Sequence, residues 1–159
     1  MSIFFRKTSF KKYIKSKLQD LFIQQWYSKI SDSSIYTIYR MVKTSFQRSP
    51  YIYVLNNNCA ISIARFITTN NNLPVNTNRY TEVERKDRVC TKCNLKDIGD
   101  EFHYVFCCPF FDTKRKELLP KYLINNKNTI SFSKLLNEND RSTLLKLKHF
   151  LCHIQKSLE

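Results

Sequence analysis

Four soft ligands, Cys90, Cys93, His103 and Cys108, fall in the order C-x2-C-x9-H-x4-C and are followed at once by Pro109. No other feature of the chain restricts its fold as strongly. Thiolates and an imidazole suit the tetrahedral shell of one Zn2+, and a two-residue gap lets a tight turn aim Cys90 and Cys93 at a single point. His103 and Cys108 then supply the second pair. The same residues have a plainer reading, because free cysteines often serve as small buried apolar groups and a histidine can be a satisfied core residue. The spacing favours the metal. Cys107, at H-x3-C spacing, competes with Cys108 for the fourth place, and the sequence alone leaves both open. The expected ion is a structural Zn2+, since four protein ligands leave no open position for a reactive water.

The residues around the cluster suit a small finger. Residues 89–95 are expected to form the turn that carries the first two cysteines. Gly99, the only glycine, sits where the chain must reverse, and is expected to supply a positive φ there. Asp100 is placed to cap a short helix over 101–107, with Phe102, Val105 and Phe106 as its apolar contacts. His103 and Cys108 are five residues apart, so they converge if that helix ends or tightens before Pro109.

One glycine and four prolines in 159 residues leave few helix interruptions, so the expected class is mostly α: a small helical domain carrying a C-x2-C-x9-H-x4-C zinc-knuckle-like element. Phe10, Ile14, Leu18, Leu21, Phe22, Trp26 and Ile30 recur every three or four positions and predict a helix over 9–30 with one packed face. Ser31 to Ser34 would end it. Ile35, Ile38, Tyr39, Val42 and Phe46 predict a second helix over 35–46. A third, opened by Asn57, Asn58 or Ser62, would run through Phe66 towards the asparagines at 70–72. Residues 73–80 read as a loop, 111–119 as a helix stopped by Pro120, and Ser131 or Ser133 as the cap of a short turn. Asp140 or Ser142 would open a last helix with Leu144, Leu147, Phe150, Leu151, Ile154 and Leu158 on one side; its Cys152 is expected to be buried, and His149 and His153 exposed. Three segments follow: a basic helical segment (1–81), the finger with its following helix (82–125) and a C-terminal helical segment (126–159).

The net charge of +14 is unevenly placed. Residues 1–81 hold twelve Lys and Arg against two acids, which is net +10, and the remainder carries +4. Such a field favours a polyanion, of which nucleic acid is the common one, although a merely solvated basic surface is the simpler alternative. Lys11, Lys12, Lys15, Lys17, Arg85, Lys86, Arg88, Lys92 and Lys96 are the candidate phosphate contacts. They would give affinity more than sequence choice. Aromatic residues interleaved with them, from Phe10 to Tyr53, can stack on bases, yet at helical spacing most are expected in the core. No apolar run approaches a membrane span, and six cysteines without a secretory leader read as intracellular thiols, nuclear or cytoplasmic, with no membrane partner.

The segments 61–80 (ISIARFITTNNNLPVNTNRY), 88–111 (RVCTKCNLKDIGDEFHYVFCCPFF) and 115–123 (RKELLPKYL) together resemble the region that follows the polymerase in non-LTR (LINE-like) retrotransposon reverse transcriptases. That family's zinc-binding tail has a C-x2-C pair, an acidic-His element and a Cys-Pro. Here Cys90, Cys93, Glu101 to His103, and Cys108 with Pro109 fill those places, so the resemblance implies Cys108 as the fourth ligand. The family often has a charged residue where this chain has Cys107. The likeness spans about residues 9–155 and implies RNA or DNA as ligand and a polymerase domain as neighbour.

Catalysis is not expected. There is no Asp-Asp dipeptide for two-metal chemistry, no Gly-rich phosphate loop, no nucleophile elbow and no H-E-x-x-H helix. The expectation is a truncated C-terminal piece acting as a zinc-stabilised nucleic-acid-binding module. The alternative is an interaction or scaffold module that packs against a polymerase or another protein. A redox role for the C-x2-C lacks the βαβ pattern such motifs sit in.

Overall fold

The computed structural model of the chain describes residues 2–33 and 35–159, and among them it is mostly helical, with one isolated antiparallel bridge between Val89 and Ile98 as its only extended pairing. The helices are α1 (Ser2–Asp32), α2 (Thr37–Val42), α3 (Pro50–Val54), α4 (Asn57–Ile67), α5 (Pro74–Thr77), α6 (Asp112–Leu118), α7 (Lys121–Ile124), α8 (Thr129–Leu136) and α9 (Arg141–Leu158). Caps open the well-patterned ones. Asp140 accepts from Thr143 N at 2.7 Å to start α9, as its spacing predicts. Asn56, one residue before the expected candidates, accepts from Cys59 N to start α4, and Asn128 rather than a serine accepts from Ser131 N to start α8.

The core is one buried cluster that draws on residues from Ile38 to Ile154. Helix α9 lies along it, with Leu144, Leu147, Phe150, Leu151 and Ile154 buried against α4, α6 and α3. Leu158 and Cys152 are half-buried and the two histidines of α9 are exposed. On the other side α2 packs on α8, where Asn137 and Ser133 donate to the α2 carbonyls of Val42 and Met41.

Two expectations fail at short elements, and one short helix had none. The second helix covers only Thr37–Val42, and bends follow at 45–47. Residues 73–80 are not a loop: α5 and a 3₁₀ turn, Asn78–Tyr80, fill them. Helix α3 was not signalled by periodicity at all. Both α3 and α5 start with proline as first helical residue, where its fixed φ helps and its missing N–H is harmless, but four or five residues show no period.

Helix α1 departs most. It forms, but Phe10, Ile14, Leu18, Leu21 and Phe22 are all exposed, Phe10 by 65% and Leu18 by 61%. From Phe10 onward its packing is confined to the C-terminal part, where Phe22 meets the edge of Phe46. Trp26 meets Tyr39 and Phe46, Ile30 is buried, and Arg40 donates to the Ser31 carbonyl at 2.8 Å to close the C-terminus. The expectation that most interleaved aromatics are core is likewise overturned: of those between Phe10 and Tyr53, only Tyr51 is buried. The period of 3.6 shows that a helix has an apolar stripe, not what covers it. Ser34, offered as a helix-ending residue, lies outside the described residues.

Candidate metal centre

Two short pieces of backbone carry the four ligands. The first is a reversal in which Cys90 N donates to Asp97 O (2.8 Å) and Gly99 N to Arg88 O (2.8 Å), so Cys90 and Cys93 sit inside a closed loop. The positive φ that such a reversal needs falls on Lys96 (φ 58°), not on Gly99. Gly99 is needed for a different reason. A Cβ there would stand 3.0 Å from Pro74 Cγ and 3.2 Å from the backbone N and Cα of Cys90, so a side chain would push the first ligand strand off α5.

The second piece is a helical turn capped by Asp100, whose Oδ1 accepts from His103 N at 2.9 Å, as the sequence predicts. From His103 to Cys107 this turn is a π-helix, closed by Cys108 N donating to His103 O at 2.7 Å. The helix was expected to end or tighten before Pro109; it does end at Cys107, but by widening and not by tightening. An α-helix advances about 100° per residue, which would leave side chains five apart separated by about 140°. The wider π turn lowers that angle and brings His103 and Cys108 to the same side. Pro109, having no N–H, cannot continue an α-helical ladder.

The result is a cluster. The ligand atoms of Cys90, Cys93, His103 and Cys108 all lie within 4.8 Å of one another, and the group can hold a metal ion. Cys107 is not part of it; it is half-buried against the core. Two of the spacings can be set against a tetrahedral shell. With Zn–S near 2.3 Å and Zn–N near 2.0–2.1 Å, tetrahedral edges are about 3.8 Å between sulfurs and about 3.6 Å between sulfur and nitrogen. Cys90 Sγ and Cys108 Sγ are 3.8 Å apart, and Cys93 Sγ is 3.4 Å from His103 Nε2.

The electrostatics of the four groups differ. Burial pushes the Cys108 thiol up to about 12, while Cys90 ends below its ordinary range, because bonds from Tyr104, Lys92 N–H and Cys93 outweigh its burial. Burial lowers His103, which keeps its imidazole neutral and able to ligate through Nε2. Its other nitrogen, Nδ1, is buried with no well-formed hydrogen bond; Asp97 Oδ2 stands 3.5 Å away, a charge contact just beyond bonding geometry. A histidine ligand ordinarily gives this proton to a carboxylate, and Asp97 is in position to take it. The buried Tyr104 hydroxyl has the Cys90 sulfur as its neighbour, and a thiolate there would accept a hydrogen bond from it while Tyr104, its pKa raised first by burial, keeps its proton.

Two supporting groups escaped the sequence reading. Arg115, only 1% exposed, donates to the carbonyls of Val105 (2.6 Å), Cys108 (2.7 Å) and Tyr104 (3.4 Å), and pairs with Asp112 at 3.2 Å. It pairs the Tyr104 and Val105 carbonyls of the π turn and shares the Cys108 carbonyl with Phe111 N, which donates at 3.3 Å. Its signal was a basic residue four after Phe111, which reads as surface. Glu101 is the second. Although its place beside His103 suggests the metal, its Oε1 instead accepts from Asn76 (2.7 Å) and Asn71 (3.2 Å) in a buried network that locks α5 to the turn.

The candidate phosphate contacts do not form one surface of equivalent groups. Lys11, Lys12, Lys15 and Lys17 are exposed on α1, and Arg85, Lys86 and Lys96 are exposed near the finger. Lys92 is half-buried, Lys86 pairs with Glu84 at 2.7 Å, and Arg88 gives two bonds to the carbonyls of Val83 and Val75. No helix of the described residues is long and apolar enough to cross a membrane. Compared with protein-family models, curated proteins and solved structures, the chain finds no match in any of the three.

Proposed function

We propose that the chain is a non-catalytic nucleic-acid-binding module stapled by one structural Zn2+ on Cys90, Cys93, His103 and Cys108. The observation that carries the zinc is the convergence of three sulfurs and one imidazole nitrogen on a single point, with spacings near the edges of a zinc tetrahedron. Four protein ligands close the shell, so the ion would organise the finger and leave no site for hydrolytic chemistry. In small zinc peptides such binding contributes roughly 10–16 kcal/mol, which is enough to decide whether the finger folds.

What supports the nucleic acid is charge. The +10 of residues 1–81 lies largely on exposed side chains, and α1 presents Lys11, Lys12, Lys15 and Lys17 to solvent. On the resemblance, the parent would be a LINE-like reverse transcriptase whose tail holds template RNA or target DNA, and the module would act inside the cell. The test is the affinity of the zinc-loaded protein for RNA and DNA oligonucleotides as salt is raised. Counterion release gives log K against log salt a slope of about −0.9 per contact on duplex and about −0.7 on single strands. Binding that ignores salt, or that survives changing all four α1 lysines to Glu, sinks the basic-helix reading.

One observation favours a second reading. The apolar stripe of α1, Phe10 to Phe22, is uncovered, as a surface built to pack against a polymerase or other protein would be. The last helix gives no such support, since its apolar side is buried. Salt-insensitive capture by a protein partner, lost on Leu18→Ser, would favour that reading.

A further inference from the structure

We propose that a cavity of about 340 Å³ between α2, α5 and the start of the finger binds a terminal phosphate group of a nucleic-acid strand through Arg79, Arg85 and Arg88. For the source of the ligand this rests on the nucleic-acid reading; the anion chemistry stands separately. Three guanidinium groups line one concavity, with Asn76 and Thr69 beside them. Arg88 is held by two carbonyls, Val83 O and Val75 O, both at 3.0 Å, and carbonyls fix its plane without cancelling its charge. Arg79 is oriented by Asn76 Oδ1 at 2.7 Å, which again leaves the charge in place. Arg85 lines the cavity and stands 3.8 Å from the Asp100 carboxylate, an ion pair longer than a hydrogen bond.

Against these three charges stand two carboxylates: Glu101 in the lining, which is 3% exposed and already accepts two amide hydrogen bonds, and Asp100, which pairs with Arg85. That leaves the cavity about one charge positive. A phosphodiester brings one negative charge but only two free oxygens. A terminal monoester brings about 1.5 to 2 at neutral pH and three acceptor oxygens, one for each guanidinium fork, so the number of acceptors selects the end of a strand. Thr69 adds an independent sign. It closes α4 in the left-handed region (φ 59°), with Thr69 N on Phe66 O and Asn70 N on Arg65 O, a position where glycine is the ordinary residue. A β-branched residue kept there at the cost of strain puts a hydroxyl-bearing side chain on the cavity wall.

The experiment uses the full zinc-loaded chain and one oligonucleotide sequence prepared with a 5′-phosphate, a 3′-phosphate or neither, read by fluorescence anisotropy. Phosphate at one end should tighten binding about tenfold, and Arg85→Gln should remove that gain while leaving zinc content and melting temperature unchanged. Equal affinity for all three strands, or a gain that survives Arg85→Gln, overturns the cavity even if salt-dependent binding persists and the broader reading stands. If no strand binds, that broader reading fails, and inorganic phosphate decides the cavity by NMR of the arginine Nε–H groups. Shifts at Arg79 and Arg88 that Arg85→Gln abolishes support the site; no shift overturns it.

Discussion

Helix α1 and the finger are opposite solutions to the same shortage of apolar cover. The helix carries seven large apolar residues at helical spacing, yet five are exposed and only its last turns reach the core. The finger spans residues 88–111, with no long helix, yet it buries His103, Tyr104, Val105, Phe106 and Cys108 almost completely. The difference lies in where each finds its partner. An apolar stripe needs another surface, and for Phe10, Ile14, Leu18 and Leu21 the described residues leave it exposed, while Phe22 meets only the edge of Phe46. A ligand cluster needs one ion, and its own spacing brings the ligands together. On the proposed zinc reading, burial in the finger should depend on the metal, and the helix should be indifferent to it.

The largest effect should come from the fourth ligand. Cys108→Ser is expected to lose zinc and unfold the finger, whereas Cys107→Ser should keep zinc and lose little stability, read as metal per chain and as thermal melting. Equal behaviour of the two variants would erase the contrast between finger and helix. Next is Arg115→Met, which leaves the buried Val105 and Tyr104 carbonyls without their guanidinium donor at about 1–3 kcal/mol each, and should cost about 2 kcal/mol or more with zinc affinity reduced as the π turn loosens. A loss under about 0.5 kcal/mol would mean that the ion alone holds the turn.

Gly99→Ala comes third, at about 1–3 kcal/mol, because the methyl meets the backbone of Cys90 at 3.2 Å and that strand cannot yield without moving a ligand. Denaturant unfolding of the zinc-loaded protein measures it, and a neutral outcome would show that α5 can shift. Smallest should be Leu18→Ser on α1. With the side chain 61% exposed, the change should stay within about 0.5 kcal/mol, and a larger loss would show that the helix is covered in solution.

Acid should separate the two regions as well. Burial lowers the pKa of His103, so its contribution to stability is complete above the unfolded value near 6.5 and is lost as pH falls through the folded value. Zinc release follows the same direction, since protons compete for the thiolates and the imidazole. A metal-loaded finger should thus fail on mild acidification while the helix content of α1 stays.

The finger was legible because its signals are chemical. C-x2-C, His and Cys-Pro name a ligand set whatever the backbone does between them, and Asp100 announces its cap. The π turn was not legible, because i and i+5 spacing is also compatible with a helix that ends early. Nor was Arg115: a guanidinium that serves three carbonyls looks, in sequence, like any basic residue on a helix. Helix α9 was readable for another reason: eighteen residues display their period, and one side meets a core that exists. Periodicity on α1 was equally clear and gave the wrong burial, which locates the limit in tertiary cover rather than in the pattern. Gly99 shows a similar limit, since a lone glycine announces that a Cβ is unwelcome but not whether φ or a neighbouring backbone forbids it.

The claim on which the rest depends is that Cys90, Cys93, His103 and Cys108 share one zinc ion. Elemental analysis of the purified protein, run beside Cys107→Ser and Cys108→Ser, tests it most directly. The account predicts one zinc per chain in the parent and in Cys107→Ser, and none retained in Cys108→Ser. A freshly reduced protein that folds without metal, or a Cys108→Ser variant that keeps its full zinc, would contradict it.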